Sequence, residues 1–130
     1  MYGILKKKYG QNFLIDKNII KKICSLISKK HLDIIEIGPG DGRLTEQILL
    51  TKPKSLKIIE IDRDLILKLS TRFNKKLNIK IINENILKYP LIEKVDLIIS
   101  NLPYNISSQV LIKICLMENP PINLILMFQK

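Results

Sequence analysis

The stretch Asp-Ile-Ile-Glu-Ile-Gly-Pro-Gly-Asp-Gly, residues 33–42, decides the fold of this chain. Its first five residues are mostly apolar and predict a short buried β-strand over residues 33–37. Gly38, Gly40 and Gly42 follow at alternate positions, which predicts a sharp turn whose backbone approaches a ligand in front of a helix. The spacing matches neither the G-x-G-x-x-G of dinucleotide-binding folds nor the P-loop. An ordinary glycine turn is the alternative interpretation.

Helix-like and strand-like segments alternate on both sides of this stretch. Before it, Asp16 is expected to cap a helix whose apolar stripe consists of Ile19, Ile20, Ile23, Leu26 and Ile27. After it, we expect a helix over residues 44–50 that Pro53 stops, a strand over 56–61 and a helix capped by Asp62. The remaining expected elements are strands over 79–82, 95–100 and 122–128, with a helix opening at Ser107 or Ser108.

This alternation predicts βαβ units and a parallel sheet. The strands are apolar at nearly every position, which is typical of parallel strands covered on both faces. The predicted fold class is therefore α/β, with an open, doubly wound, mainly parallel sheet. A length of 130 residues corresponds to about one domain.

Bulk composition restricts the class of protein further. The chain is 46% hydrophobic and 26% charged, which excludes a wholly disordered or low-complexity protein. No apolar run reaches the ~18 residues of a membrane span. The first lysines are not followed by the apolar stretch of a signal peptide, so we expect no membrane association.

The two cysteines, Cys24 and Cys115, lie far apart in apolar helical patterns. This pattern predicts buried free thiols in a reducing compartment, with the cytoplasm as the expected location, or an organelle if the source is a eukaryote.

The net charge of +10, from 22 Lys+Arg against 12 Asp+Glu, suits a polyanionic partner, and nucleic acid is the first candidate. Codon bias is the alternative explanation. The chain has no Ala and no Trp and is rich in Ile, Lys and Asn, a composition typical of AT-rich genes.

Three polar residues near the ends of the second and third predicted strands are candidates for binding a ligand. Glu60 lies about twenty residues beyond the glycine loop, where an acid can accept the hydroxyls of a ribose. Asp62 is better explained as the cap of the next helix. Asn85 could meet the edge of an adenine ring, but a simple Asx turn is an equal alternative.

The fourth predicted strand ends in Asn101, Leu102, Pro103 and Tyr104. Ligands of open α/β sheets bind beyond the carboxyl ends of the strands. Asn101 offers a carbonyl oxygen there, Pro103 restricts the backbone, and Tyr104 offers a face for stacking. A structural turn is the alternative for an Asn-x-Pro sequence.

Together these motifs resemble the KsgA family of rRNA adenine dimethyltransferases over about residues 6–130. The resemblance is carried by GQNFL (residues 10–14), EIGPGDG (36–42), Glu60 and NLPYNIS (101–107). It implies a Rossmann-like, class I fold that uses S-adenosylmethionine as methyl donor. It also implies N6,N6-dimethylation of adjacent adenines near the 3′ end of small-subunit rRNA, with the immature small subunit as partner. No metal and no obligate protein partner are expected.

The resemblance also assigns roles to individual residues. Those implied to bind the donor are Asn12, Leu14, Gly38, Gly40, Glu60, Asn85 and Asn101. Those implied to receive a flipped-out adenine are Asn101, Leu102, Pro103 and Tyr104. Asn85 stands where the family usually has Asp, so we expect a weaker contact to the adenine amine of the donor.

The family continues with further strands and a small helical C-terminal domain. Residues 1–130 are therefore expected to form a methyltransferase domain truncated after its fifth strand. Two other functions stay open from the sequence. One is a non-catalytic rRNA-binding or ribosome-assembly remnant of the family, and the other is a DNA-binding relative of transcription-factor type.

Overall fold

The computed structural model describes residues 16–27 and 32–129 of the chain. Within these ranges the elements are α1 (Lys17–Ser25), β1 (Asp33–Ile37), α2 (Arg43–Leu50), β2 (Ser55–Glu60), α3 (Arg63–Arg72), β3 (Ile79–Asn83), β4 (Leu97–Pro103), α4 (Tyr104–Cys115) and β5 (Asn123–Gln129). The strands form one sheet in the order β3-β2-β1-β4-β5, and every neighbouring pair is parallel. The α/β prediction with an open parallel sheet is confirmed.

The sheet is covered on both faces, which explains its continuous apolar strands. One hydrophobic cluster joins Ile34, Ile58 and Ile99 to residues of α1, α2 and α3. The other joins Ile35 and Ile98 to α4 and to residues of the segment between β3 and β4. The strand order reverses between β1 and β4, because the chain adds β2 and β3 on one side of β1 and then returns to the other. Such a switch point is where doubly wound sheets bind ligands.

Two helix starts follow the predicted capping chemistry. The Asp16 carboxylate accepts hydrogen bonds from the backbone N–H groups of Asn18 at 2.8 Å and Ile19 at 3.4 Å. The Asp62 carboxylate accepts one from Asp64 at 2.9 Å. Both carboxylates satisfy N–H groups that would otherwise lack partners in the first helical turn. Capping is therefore confirmed as a role of Asp62.

The boundary predicted between β4 and α4 is wrong. The strand was expected over residues 95–100 but extends to Pro103, and the helix begins at Tyr104 rather than at Ser107 or Ser108. The strand is longer because β5 continues to pair with it as far as Pro103, whereas β1 pairs with it only as far as Ser100. Ser107 does not cap the helix, because it is buried within it and its hydroxyl donates to the Leu102 carbonyl at 3.0 Å.

The burial predicted for four residues also needs correction. Ile19 and Leu26, placed in the inward stripe of the first helix, are 45% and 61% exposed, whereas Ile20 and Ile23 are buried. Cys115 is exposed at the end of α4, and Cys24 is half-buried. The helical patterns gave the right period, but the apolar faces of these helices are wider than the surfaces that cover them.

Among the helices of the described ranges, none has the length and apolarity needed to cross a membrane.

Candidate functional site

One row of residues crosses the sheet at the carboxyl end of its strands. Ile37, the last residue of β1, pairs with Ile59 on β2 and with Ser100 on β4. The residues that follow these three along the chain are Gly38, Glu60 and Asn101, which therefore lie at the same edge of the sheet. Side chains of neighbours in a parallel register share a face of the sheet. The register therefore brings three residues predicted from separate motifs together at the switch point.

Gly38 is fixed against the end of β4. Its φ is +71°, a left-handed conformation that favours glycine. A Cβ here would lie 2.7 Å from the Asn101 carbonyl oxygen and 2.6 Å from Leu102 Cδ2. Its N–H donates to the Ile59 carbonyl at 3.1 Å. The missing side chain thus lets the glycine loop pack on the strand that carries Asn101, a use that the sequence reasoning, which invoked ligand approach, did not foresee.

The far side of the glycine loop is fastened to α3. Gly42, with φ +90°, is the N-cap of α2, and a Cβ there would lie 2.9 Å from Leu69 Cδ2. The Arg72 guanidinium donates to the Asp41 carbonyl at 2.7 Å and forms an ion pair with Glu46. Sequence reasoning did not single out Arg72, because no motif marks a residue that acts on a loop 31 positions away.

Glu60 lies at the loop with its carboxylate buried, since its exposed fraction is only 6%. Its Oε2 accepts a hydrogen bond from the Asp62 N–H at 2.9 Å, and the nearby backbone N–H groups of Gly40 and Ile61 also favour its charged form. Burial raises the pKa of Glu60, although these backbone bonds oppose the rise. A carboxylate has about four acceptor positions, so the bond from Asp62 leaves room for a ligand hydroxyl. The geometry fits the predicted ribose acceptor, and that role stays a prediction.

Glu36, on β1 beneath the loop, is a second buried acid, and the sequence reasoning gave it no role. Its Oε1 accepts a hydrogen bond from the Thr45 hydroxyl at 2.5 Å, whereas Oε2 has no hydrogen-bond donor among the described residues. Burial raises the pKa of Glu36 to about 7; the Thr45 bond lowers it and the nearby Glu60 charge raises it. A glutamate in the middle of an otherwise apolar strand was the signal that could have revealed it.

Asn85 follows β3 and takes part in the turn that was one of its two predicted roles. Its Oδ1 accepts a hydrogen bond from the Leu87 N–H at 3.0 Å, which defines an Asx turn. An amide oxygen has a second acceptor position, so the turn does not exclude the other predicted role, a contact to an adenine amine.

The segment Asn101 to Tyr104 lies partly in β4 and ends at the first residue of α4. Asn101, Leu102 and Pro103 are half-buried, and Tyr104 is 63% exposed. Pro103 is the N-cap of α4. The Leu102 carbonyl already accepts one hydrogen bond, from Ser107.

Two predicted donor-binding residues, Asn12 and Leu14, lie outside the described residues, as does the whole GQNFL motif. Within the part that is described, no group of three or more His, Cys, Asp or Glu side chains is arranged to hold a metal ion.

A family model described as ribosomal RNA adenine dimethylase matches residues 4–130. A curated relative from Pelagibacter ubique, named ribosomal RNA small subunit methyltransferase A, is 42% identical over 136 residues, covering 100% of this chain and 51% of the relative. A dimethyladenosine transferase from Plasmodium falciparum superimposes with a TM-score of 0.80 at 31% identity, covering 92% of this chain and 44% of that one. The 23S rRNA methyltransferase ErmE superimposes with a TM-score of 0.76 at 27% identity, covering 91% and 48%. The chain spans about half the length of the curated relatives it matches.

Proposed function

Because this chain belongs to the ribosomal RNA adenine dimethylase family, we propose that it binds S-adenosylmethionine and transfers methyl groups to N6 of adenine in ribosomal RNA. The names of the curated relatives support small-subunit rRNA as the substrate. Adjacent adenines near the 3′ end of that RNA, within an immature subunit in the cytoplasm, are the finer form of the proposal. The relatives are named as methyltransferases, which favours an enzyme over a non-catalytic binding remnant.

The contact between Gly38 and the end of β4 is the observation that carries this proposal. A Cβ added to Gly38 would lie only 2.7 Å from the Asn101 carbonyl oxygen, so the glycine loop packs directly on the backbone of Asn101. A donor held by the loop and an adenine held at Asn101 would therefore be neighbours. Methyl transfer requires such closeness, because alignment of the two reactants supplies much of the rate.

On the donor side, this chain offers acceptors and backbone groups. Glu60 would accept the ribose hydroxyls, Gly38 and Gly40 would line the donor through their backbone, and Asn85 would face its adenine. When bound, the donor supplies an electrophilic methyl group on a sulfonium. Asn12 and Leu14 are assigned to its border by the family resemblance.

On the acceptor side, the proposed work is to orient the exocyclic nitrogen of the target base. The Asn101 side-chain oxygen and the Leu102 carbonyl would accept hydrogen bonds from N6, which favours a pyramidal and nucleophilic nitrogen. The Pro103 carbonyl is the weaker candidate, because the carbonyl of an N-cap accepts the first bond of its own helix. Tyr104, exposed at the start of α4, would stack on the flipped base, a contact worth ~1–3 kcal/mol.

Calorimetry with S-adenosylhomocysteine tests donor binding directly. We expect one site, with affinity lost by at least about tenfold in Glu60→Ala, because a hydrogen bond to a charged group contributes ~1.5–3 kcal/mol. Glu118→Ala, at an exposed position after α4, is the matched control and should bind like the unchanged protein. Absence of binding by folded protein at millimolar ligand would refute the proposal.

A further inference from the structure

The segment between β3 and β4, which carries Asn85, belongs to no strand of the sheet. Residues 84–90 form turns rather than a helix or a strand. The backbone carbonyl of Asn85 accepts hydrogen bonds from the N–H groups of Lys88 at 2.9 Å and Tyr89 at 3.0 Å. These local bonds shape the turn, and other contacts attach it to the rest of the domain. Ile86 is buried in the core, and the Glu84 N–H donates to the Glu60 carbonyl at 3.1 Å.

Lys113, in the last turn of α4, supplies such a contact. Its ammonium donates to the Ile86 carbonyl at 2.7 Å and to the Tyr89 carbonyl. Lys113 is half-buried, and burial lowers its pKa. The hydrogen bonds from this ammonium to two backbone carbonyls are charge-assisted, and such bonds are stronger than those between neutral groups. Ile86 lies near the start of the turn and Tyr89 at its end, so one ammonium contacts both parts of it.

One of these carbonyls, that of Ile86, lies inside the Asx turn that sets the direction of the Asn85 side chain. Ile86 is the next residue along the chain, and the Leu87 N–H is the group that bonds Asn85 Oδ1. A shift of the Ile86 carbonyl therefore moves the Leu87 N–H, because both belong to one planar peptide unit. The orientation of the Asn85 amide is thus tied to the ammonium of Lys113.

We propose that Lys113 is a positioning residue that fixes Asn85 for recognition of the exocyclic amine of the donor's adenine. This inference rests on the proposed function, and specifically on Asn85 facing the donor adenine. The Asn85 oxygen keeps one acceptor position after the Asx turn, and an amine can donate to it. An oxo group at the same ring position cannot donate.

The test compares two ligands, S-adenosylhomocysteine and S-inosylhomocysteine, in which an oxo group replaces the amine. The unchanged protein should prefer the adenosyl ligand by about tenfold, the value of one good hydrogen bond. Lys113→Met keeps the aliphatic stem but loses the donors, so it should weaken adenosyl binding by about fivefold or more and leave inosyl binding unchanged. Lys113→Arg, which retains N–H donors, should restore most of the preference.

Lys88→Met is the matched control, since Lys88 is exposed in the same turn and should not alter the preference. In an Asn85→Ala background, which should itself abolish the preference, Lys113→Met should have no further effect on it. If Lys113→Met does not fold, Lys113→Leu, which also lacks donors, decides by the same ratio. If neither variant folds, Lys113→Arg decides, and loss of its preference would count against the proposal.

Three results would overturn the inference. Equal weakening of both ligands would show that Lys113 only supports the fold, and unchanged affinities for both ligands would show that it does not act on Asn85. Binding of both ligands without preference by the unchanged protein would remove the inference while leaving the proposed donor site intact. Failure to bind either ligand would instead refute the proposed function.

Discussion

At the scale of single residues, Glu36 has the most unusual surroundings. A carboxyl group that is buried with one oxygen lacking a donor among the described residues is disfavoured in its ionised form. Its pKa of about 7 in the folded chain, against an ordinary value of 4.5, means that the native state holds a proton that the unfolded chain releases.

The free energy of unfolding should therefore fall as pH rises from about 4.5 to about 7. The full contribution of Glu36 is present below the lower value and lost above the upper one, a change of about 3 kcal/mol. Glu36→Gln, which cannot ionise, should flatten this dependence. Urea unfolding at about pH 5 and about pH 8 measures it, with Glu118→Gln as an exposed control; parallel pH dependences of Glu36→Gln and the unchanged protein would contradict the assignment.

Asn101 and Glu60 share one row of the sheet, but we expect their substitutions to have different effects. Asn101→Ala should lower kcat for rRNA methylation by about a hundredfold, because misplacing the reacting nitrogen loses alignment, while donor affinity stays within about twofold. Glu60→Ala should mainly weaken donor binding. Single-turnover methylation and calorimetry on both variants separate the two effects. Equal loss of donor affinity in both would contradict the division of roles.

At the scale of elements, the glycine loop depends on a helix that contributes no predicted site residue. Arg72 of α3 donates to the Asp41 carbonyl and pairs with Glu46 of α2. Because the side chains of this ion pair are 39% and 55% exposed, the pair itself should add less than about 1 kcal/mol to stability.

We expect Arg72→Met to weaken S-adenosylhomocysteine binding by about three- to tenfold, since the loop loses an anchor to its carbonyl. Thermal unfolding should change little. Arg63→Met, at an exposed position at the start of the same helix, serves as control. An unchanged donor affinity in Arg72→Met would show that Gly42 packing alone holds the loop.

The sequence predicted best those elements whose bounds depend on residues adjacent in the chain. β1 was predicted with its observed bounds, and Asp16 and Asp62 cap helices as expected, because capping and short apolar runs depend on adjacent residues. The end of β4 was mispredicted because β5, more than twenty positions away, extends its ladder to Pro103.

For the candidate site, the sequence indicated Gly38, Glu60 and Asn101 but not their common row, which depends on strand register. Arg72 and Lys113 were missed for a related reason. Each side chain donates to a backbone carbonyl of a distant loop. Every residue type has such a carbonyl, so the bond requires only a long cationic side chain on one partner and leaves no motif in the sequence.

At the scale of the whole molecule, the net charge of +10 should make rRNA binding strongly dependent on salt. Release of counterions gives a slope of log affinity against log salt of about −0.7 to −0.9 per phosphate neutralised. A Lys-rich surface should give a slope of several units in a filter-binding titration with small-subunit rRNA. A flat titration would assign the positive charge to codon bias.

The burial of the acidic residues at the site has different consequences for the two proposed ligands, the donor cation and the RNA polyanion. Glu36 and Glu60 lie inside the domain, at 1% and 6% exposure, whereas the chain as a whole carries a net charge of +10, which repels a freely diffusing donor cation at long range. Added salt screens that field beyond ~10 Å at 0.1 M. Salt should therefore speed the entry of the donor cation, by weakening its repulsion, while it weakens the binding of the RNA polyanion.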